Sequence, residues 1–393
     1  MAATDAWVRP VRRGWVVRDV APGPDVDEFA EPEQVTAALA ARATGPVTLL
    51  AVQHPHRTPQ ALAAGLGLPA ALPIARAALD RLRADHYRPV ADVVAPYQID
   101  GPDGTAHGVL CIVDPTSVGA DGVNRVRHTE EVYPEVVAER AAMLDGLGCA
   151  TSAALLVPAA GGAALTDMVG RVCTELGDPV VSLVDSSARR HRMWLLGKGK
   201  QQDDLLDLLR GQSLLVADGN HRVAAAAVAG RGSLLALVTG GPRLQVGPIH
   251  RALVGTGLHA DELERRWRAA GLAVHRLTDR TPATRPGSVV VIAGGTTLRV
   301  DLPAPGSSDP VPRIDHAAVE HLLVRRALGV DPDGPALRPL PAGRTLPGAD
   351  AVLLLAPVPY RDVLAVHAAG RRMPRKATYF TPKPRSGLLL AET

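Results

Sequence analysis

The chain has 393 residues, of which 46% are hydrophobic and only 3% aromatic, and its formal net charge is +3. The hydrophobic content excludes a wholly disordered chain, and the balanced charge without a basic run gives no support to a nucleic-acid-binding arm. The three cysteines are far apart and lack the spacing of a metal site, so we expect them to be buried and reduced.

Targeting and membrane signals are weak in this sequence. The first fifteen residues carry charges but no apolar stretch of the signal-peptide kind. The best candidate for a membrane segment, 150–165, is interrupted by Pro158, Gly161 and Gly162. We therefore expect a soluble, cytoplasmic protein with neither a membrane nor a nucleic acid as partner.

Apolar and amphipathic segments alternate along the chain, which predicts a mixed α/β fold, α/β or α+β, without internal repeats. In chain order we predict a helix at 31–42, a buried strand at 47–53, a loop at 54–59, a helix at 73–87, strands at 90–99 and 107–113, a helix at 130–147, a strand at 150–157, a helix at 167–176, strands at 180–185 and 192–196, a helix at 203–209, a strand at 213–217 followed by an Ala-rich helix, and a strand at 234–239. The last third continues with a helix at 261–270, strands at 288–292 and 297–302, a helix at 316–328, a strand at 352–355 and a helix at 360–369, and Pro-, Gly- and Ser-rich stretches lie at 278–287, 303–312 and 331–348.

The sharpest local signal is Asp218-Gly219-Asn220-His221-Arg222, between a predicted strand and the Ala-rich helix. Free N–H groups and the helix dipole make a helix N-terminus favourable for anions, and a glycine allows close approach to the backbone. His221 and Arg222 add side-chain donors, while a carboxylate such as Asp218 can hold a metal ion or orient a hydroxyl. Because the same sequence is also typical of a turn with an N-cap, the pattern alone leaves a phosphate site and a structural turn open.

A second cluster, at 127–131, precedes a predicted helix. His128 or Thr129 would cap that helix, and Glu130 and Glu131 would lie in its first turn, where negative charge is favourable. The functional alternative is that a glutamate accepts the proton of a substrate hydroxyl.

The closing segment, 373–390, concentrates rare residue types in a chain with few aromatics. It contains Lys376 and Lys383, two of the four lysines, together with three prolines. This indicates either a specific role or an edge strand that joins the body of the protein. The stretches 54–57 and 248–251 are weaker candidates for a site, and neither a P-loop nor a GxGxxG pattern occurs.

Four of these patterns together resemble those of a bacterial and archaeal family catalogued as domain of unknown function 1015. Its ADGHHR loop corresponds to 217–222, its RHExT helix start to 127–130, its PxHR to 248–251 and its closing MPxKSTYFxPKxxSGL to 373–388. The resemblance covers roughly residues 45–393, in the order that the family has.

The ADGHHR loop in turn resembles the nucleotide loop of the ParB/sulfiredoxin-like superfamily, which includes free L-serine kinases. The resemblance implies an N-terminal α/β region at 1–106, a ParB/sulfiredoxin-like nucleotide-binding core at 107–256 and a C-terminal α/β region at 257–393. Asn220 stands where the family has the first His of its pair, and this position excludes sulfiredoxin chemistry, which needs a thiolate there. Thr129 stands where the family has Glu, so the base would be Glu130 or Glu131.

The implied function is a small-molecule kinase that uses Mg²⁺ and transfers a phosphoryl group from ATP or ADP to the hydroxyl of free serine or threonine. The candidate roles are catalytic for His128, Glu130, Glu131 and Asp218, cofactor-binding for Gly219, Asn220, His221, Arg222, Lys376 and Lys383, substrate-binding for Arg127, Arg140, His250 and Arg251, and metal-binding for Asp218. The alternatives are a nucleotide-binding regulatory protein without turnover and a structural scaffold. Whether the chain forms a homodimer stays open.

Overall fold

The computed structural model describes residues 6–19, 22–29, 31–43, 45–304 and 311–393. Residues 1–5, inspected above for a signal peptide, and 305–310 of the stretch at 303–312 lie outside the described residues. The chain forms two compact units. Unit 1 comprises 1–128, 132–244 and 382–393, and unit 2 comprises 129–131 and 245–381.

The helices have the following bounds in chain order: α1 (Pro32–Ala40), α2 (Leu49–Gln53), α3 (Pro59–Ala63), α4 (Leu72–His86), α5 (Pro134–Leu147), α6 (Gly162–Leu176), α7 (Lys200–Arg210), α8 (Asn220–Val228), α9 (Ala260–Ala269), α10 (Asp315–Ala318) and α11 (Tyr360–Ala368). Short 3₁₀ helices lie at Val26–Glu28 and Pro55–Arg57, and a π-helical segment, Val319–Leu328, continues α10. The strands are β1 (Val8–Arg9), β2 (Val11–Val17), β3 (Tyr87–Val93), β4 (Ala95–Gly101), β5 (Gly104–Val113), β6 (Val126–Arg127), β7 (Cys149–Ala150), β8 (Ala154–Pro158), β9 (Val181–Val184), β10 (Arg190–Met193), β11 (Leu214–Asp218), β12 (Leu234–Arg243), β13 (Gln245–Gly247), β14 (Ile249–Leu253), β15 (Ala273–Leu277), β16 (Ser288–Ala293), β17 (Thr296–Asp301), β18 (Leu337–Pro341), β19 (Ala351–Leu354), β20 (Tyr379–Thr381) and β21 (Leu389–Glu392).

Unit 1 contains a nine-stranded mixed sheet and a four-stranded antiparallel sheet. The large sheet has the order β6-β11-β8-β12-β5-β4-β10-β9, with β1 paired to β5, and the small sheet has the order β3-β2-β21-β7. Strand β11 is parallel to β6 and antiparallel to β8. Because parallel strands end at the same edge of a sheet, the chain leaves β6 at His128 on the edge where β11 ends at Asp218.

The core of unit 1 is built from valine, leucine and alanine side chains of the large sheet and of α6 and α7. Cys111 and Cys173 belong to this core, and burial raises the pKa of both thiols to about 12. Cys149 is also buried, and all three cysteines are free, as the sequence predicts.

Unit 2 contains a six-stranded antiparallel sheet in the order β15-β17-β16-β19-β14-β18 and a two-stranded pair, β13-β20. Its core includes Trp267 of α9, which is fully buried. The indole N–H of Trp267 donates to the carbonyl of Leu323, 3.1 Å away in the π-helical segment, so the polar atom of this large side chain is satisfied.

One predicted strand is wrong. The apolar stretch at 47–53 contains the helix α2 and buries Leu49, Leu50 and Val52. A short apolar run has no periodicity that separates a buried strand from a buried helical turn. The stretch at 54–59, predicted as a loop, contains a 3₁₀ turn and the first residue of α3.

The helix predicted from residue 130 begins four residues later, at Pro134. Proline presets the backbone for the first helical turn and disfavours helix in the residue before it, so the extended Tyr133 is the N-cap. The prediction that His128 or Thr129 caps this helix is therefore wrong, and Glu130 and Glu131 precede the helix.

The mixed α/β class predicted from the sequence is confirmed. The two compact units do not coincide with the three regions expected from the family resemblance, 1–106, 107–256 and 257–393. Strand β5 crosses the expected boundary between residues 106 and 107. Those regions stay a prediction. No helix in the described part of the chain combines the length and the apolar character that crossing a bilayer requires.

Candidate functional site

The loop that joins β11 to α8 is shaped by one glycine. Gly219, the N-cap of α8, has a φ of +92°, a left-handed conformation that glycine adopts without steric cost. A Cβ at this position would lie 2.7 Å from Nε of Arg222. The first helical hydrogen bond runs from the N–H of Val223 to the carbonyl of Gly219, and the amides of 220–222 are the ones that a helix leaves without intrahelical acceptors.

Asp218 is the centre of charge in this loop. Its Oδ1 lies 2.7 Å from Nζ of Lys383, and its Oδ2 accepts a hydrogen bond from Nη2 of Arg222. The three side chains are only 14% to 25% exposed, so the attraction between them is screened less than that of an ordinary surface ion pair. One carboxylate between two cations leaves a net charge of +1 at a helix N-terminus, where the helix dipole adds further positive potential.

Two contacts tie the first turn of α8 to residues that precede α5. Nδ1 of His128 lies 3.2 Å from Oδ1 of the buried Asn220. The backbone N–H of Tyr133 donates to Nε2 of His221 at 3.0 Å, and the two rings stack with centroids 5.8 Å apart. Because Nε2 of His221 accepts this bond, the imidazole is neutral with its proton on Nδ1, where it can donate. Tyr133 was not predicted from the sequence, which offers no signal for this contact.

The two predicted substrate-binding arginines of unit 1 lie in different places. Arg127 donates from Nη2 to Oγ of Ser213 and from Nε to the carbonyl of Asn124, both at 3.4 Å. Ser213 precedes β11, whereas Asp218 ends it, so Arg127 contacts the opposite end of that strand. Arg140 of α5 lines a cleft that Arg222 of α8 also lines.

Glu130 is held by backbone and side-chain donors of unit 2. Its Oε2 accepts the N–H of Lys376 at 3.1 Å, and its Oε1 accepts the hydroxyl and the N–H of Thr378 at 3.0 Å and 3.4 Å. Glu130 is 9% exposed and forms a β-bridge with Met373. Glu130 and the turn at 373–378 are therefore partners within unit 2, a contact that the sequence does not reveal.

The other charged residues around this bridge differ in exposure. Oε2 of Glu131 lies 3.4 Å from Nη2 of Arg375, in a pair that is open to solvent on the carboxylate side. Lys376 is exposed and has a φ of +49°, a left-handed conformation that costs free energy in any residue with a Cβ. Lys376 therefore lies in a strained turn whose backbone is held by its hydrogen bonds to Glu130.

His250 and Arg251 are buried in unit 2, where they stabilise the chain. Arg251 pairs with Glu320 at 2.7 Å and donates to the carbonyls of Arg375 and Lys376 at 2.9 Å and 3.1 Å. Nδ1 of His250 accepts the N–H of Leu355 at 3.1 Å, and burial lowers the pKa of His250. These contacts give both side chains a structural role, and their assignment to a substrate stays a prediction.

Metal binding was predicted for Asp218. Within the described residues, no group of three His, Cys, Asp or Glu side chains is arranged to hold a metal ion. Mg²⁺ commonly uses only one or two protein carboxylates together with phosphate oxygens and waters. A single carboxylate at a helix N-terminus, beside the cations of Arg222 and Lys383, fits that limited share, and the assignment of Mg²⁺ to Asp218 stays a prediction.

Comparison with known proteins gives one family match. The model of a family described as protein of unknown function (DUF1015) matches residues 93–317, more than half of the chain. No curated protein matches significantly.

Several solved structures are similar at low identity. A conserved hypothetical protein from Pyrococcus furiosus is 13% identical, with 67% of this chain and 90% of that chain covered and a TM-score of 0.37. A free serine kinase in complex with AMP is 13% identical, with 67% and 89% covered and a TM-score of 0.37. SbnI from Staphylococcus aureus, with a C-terminal truncation, is 12% identical, with 70% and 84% covered and a TM-score of 0.39. These TM-scores are too low to support a conclusion about function. The match to the family model is sufficient to assign the family, and the chain belongs to the DUF1015 family of proteins of unknown function.

Proposed function

We propose that the protein is a small-molecule kinase that transfers a phosphoryl group from ATP or ADP to the hydroxyl of free serine or threonine. The observation that carries this proposal is the contact of Asp218 with both Arg222 and Lys383 at the N-terminus of α8. Phosphoryl transfer needs little more from a protein than positioned cations, helix amides and one carboxylate. The reaction class comes from the resemblance of the loop at 217–222 to the nucleotide loop of free serine kinases.

The phosphates of the nucleotide would bind at the first turn of α8. Its free amides and the left-handed Gly219 allow the backbone to approach an anion, and Arg222 can grip a phosphate with two hydrogen bonds. A phosphate would compete with Asp218 for Arg222 and Lys383. Nucleotide binding would therefore release the carboxylate of Asp218 for the acceptor, which couples the two substrates.

In the transfer, the acceptor oxygen attacks the terminal phosphorus, and the bond from that phosphorus to the leaving nucleotide oxygen breaks. The proton of the attacking hydroxyl passes to a carboxylate. Asp218 is our first choice for this base because it belongs to the phosphate-binding loop, and Glu130 and Glu131 stay candidates. Mg²⁺ bound with the nucleotide would neutralise phosphate charge.

The test is phosphorus NMR of the full chain with Mg²⁺, ATP or ADP, and a panel of free amino acids. We expect a new phosphomonoester signal with serine or threonine, and at least a hundredfold slower formation in Asp218→Asn, since a general base contributes about 10²–10⁴. Asp167→Asn, a change of an exposed carboxylate on α6, is the matched control and should leave the rate unchanged. Nucleotide hydrolysis or binding without any phosphomonoester would overturn the kinase proposal.

A nucleotide-binding regulatory protein without turnover is the second candidate. Two observations favour it: both carboxylate oxygens of Glu130 already accept hydrogen bonds, and the buried Asn220 contacts His128 in the place where the family has a histidine. Asn220→His separates the two candidates. Phosphoryl transfer gained by this variant would indicate a kinase that has lost activity, whereas unchanged nucleotide binding without transfer would favour the regulatory protein.

A further inference from the structure

A small cleft lies in unit 1 beside the loop at 218–222. It opens between α5 and α8, has a volume of about 100 Å³, and is lined on its polar side by Arg140, Arg222, Gln53 and Ser152. Pockets for drug-sized ligands measure roughly 300–1,000 Å³, so this cleft suits a smaller ligand.

The donors in the cleft favour a carboxylate. The Arg140 side chain comes from α5 and the Arg222 side chain from α8, and guanidinium groups bind carboxylates through paired hydrogen bonds. His54 adds no charge near physiological pH, because burial and the nearby Arg140 lower its pKa to about 4. The positive charge of the cleft therefore comes from Arg140 and Arg222, and the ion pair with Asp218 offsets part of the charge of Arg222.

The acceptor in the cleft favours an ammonium group. Oε1 of Gln53 is buried, and no described residue hydrogen-bonds it, while Nε2 of the same side chain donates to Oγ1 of Thr151 at 3.4 Å. A buried carbonyl oxygen without a partner costs free energy, which a ligand donor would recover once the Gln53 side chain turns Oε1 towards the cleft. An amide oxygen and two guanidinium groups at one small cleft match the two charges of a zwitterion.

We propose that this cleft binds the zwitterionic end of a free α-amino acid, with its carboxylate on Arg140 and Arg222 and its ammonium group on Oε1 of Gln53. The identification of this amino acid as the phosphoryl acceptor rests on the proposed function. Gln53 and Arg140 are then the residues that select an α-amino acid over a simple hydroxy acid or an amino alcohol.

The test is ligand-observed NMR titration of the full chain without nucleotide, with three probes that share a hydroxyl: L-serine, 3-hydroxypropionate, which lacks the ammonium group, and ethanolamine, which lacks the carboxylate. We expect L-serine to bind at least tenfold more tightly than either partial probe, as the loss of one charge-assisted contact predicts. Gln53→Leu should weaken L-serine at least tenfold and leave 3-hydroxypropionate unchanged. Arg140→Gln should weaken L-serine and 3-hydroxypropionate alike and leave ethanolamine unchanged.

Arg171→Gln, a change of an exposed arginine on α6, is the matched control and should not alter any affinity. If Arg140→Gln fails to fold by circular dichroism, Arg140→Lys replaces it and should weaken the same two probes, since lysine lacks the planar fork. Equal binding of the three probes, or wild-type affinities in both cleft variants, would overturn the inference.

Phosphorus NMR keeps this inference separate from the proposed function. Phosphoserine formation with an unchanged KM for serine in Gln53→Leu and Arg140→Gln would overturn the cleft and leave the kinase standing. The predicted pattern of probe affinities without any phosphomonoester would support the cleft and overturn the kinase.

Discussion

Asp218 was recognisable in the sequence because an acid, a glycine and two polar residues at the junction of a strand and a helix form a recurrent anion-binding pattern. Lys383 was also predicted at this site, but only its rarity in the chain and the family resemblance singled it out. Its contact with Asp218 joins residues 165 positions apart (383 − 218), and no local rule predicts such a pairing. Gln53 and Tyr133 were missed for the same reason.

Arg251 is a buried cation that stabilises the fold of unit 2. Its guanidinium group joins Glu320 to the carbonyls of Arg375 and Lys376, and the residue is 2% exposed. We expect Arg251→Met to lower the free energy of unfolding by about 3 kcal/mol, because it leaves a partly buried carboxylate and two carbonyl groups without their cationic partner. Urea denaturation checks this value.

Arg299→Met is the control for Arg251→Met. Arg299 pairs with Asp301 at 3.0 Å in unit 2, but both side chains are about 40% exposed. Exposed pairs contribute about 0–1 kcal/mol, so the loss should stay below about 1 kcal/mol. If the two variants are equally stable, the structural account of Arg251 is wrong.

His316 makes the stability of unit 2 depend on pH. Burial lowers its pKa to about 3, and its Nε2 donates to the carbonyl of Ile249 at 2.8 Å. The unfolded chain, in which a histidine has a pKa of about 6.5, binds the proton more tightly than the folded chain does. The contribution of His316 is therefore complete above pH 6.5 and is lost as the pH falls from 6.5 towards 3, by about 1.4 kcal/mol per pH unit.

His316→Gln retains a donor for Ile249 and removes the titration, so its free energy of unfolding should fall less steeply between pH 6 and 4 than that of the wild type. Urea denaturation across this pH range measures the slope. His321→Gln, an exposed change in the same π-helical segment, should keep the wild-type slope. Identical slopes for wild type and His316→Gln would show that His316 is not held neutral by the fold.

At the scale of elements, the junction of β11 and α8 depends on Gly219. Gly219→Ala forces a Cβ into a left-handed conformation at a cost of about 1–2 kcal/mol and brings it against the guanidinium group of Arg222. Gly148→Ala, at the C-cap of α5, meets the same backbone strain with open space around the new Cβ. Both variants should lose about 1–2 kcal/mol of stability, but only Gly219→Ala should also weaken ADP binding. Equal ADP affinities would contradict this account of the loop.

Nine of the eleven α-helices in the described residues overlap a predicted helix, because their periodicity is long enough to recognise. Strands were missed more often, for example β2, β14 and β18, and two further errors arise where one residue or a short run decides the structure. Pro134 delays the start of α5 and thereby releases Glu130 to pair with Met373. The seven residues at 47–53 are too few to separate a buried strand from the helix α2.

At the scale of the whole molecule, the family was predicted from four short motifs, and the family match over residues 93–317 confirms it. The structure collects those motifs into different units. The motif at 217–222 and Lys383 belong to unit 1, whereas Glu130, the motif at 248–251 and the turn at 373–378 belong to unit 2. The order of the motifs along the chain does not predict which unit each belongs to. For example, residues 129–131 belong to unit 2, although the residues on both sides of them in the sequence belong to unit 1.

The central claim is that the loop at 218–222 and Lys383 bind the phosphates of a nucleotide. Calorimetric titration of the full chain with ADP tests it most directly, in wild type, Lys383→Met and Lys198→Met. Lys198 is an exposed lysine of unit 1 and serves as the control. We predict that wild type and Lys198→Met bind ADP equally, and that Lys383→Met binds at least tenfold more weakly, since it loses one charge-assisted contact. Absence of ADP binding by the folded wild type, or equal binding by Lys383→Met, would contradict the account.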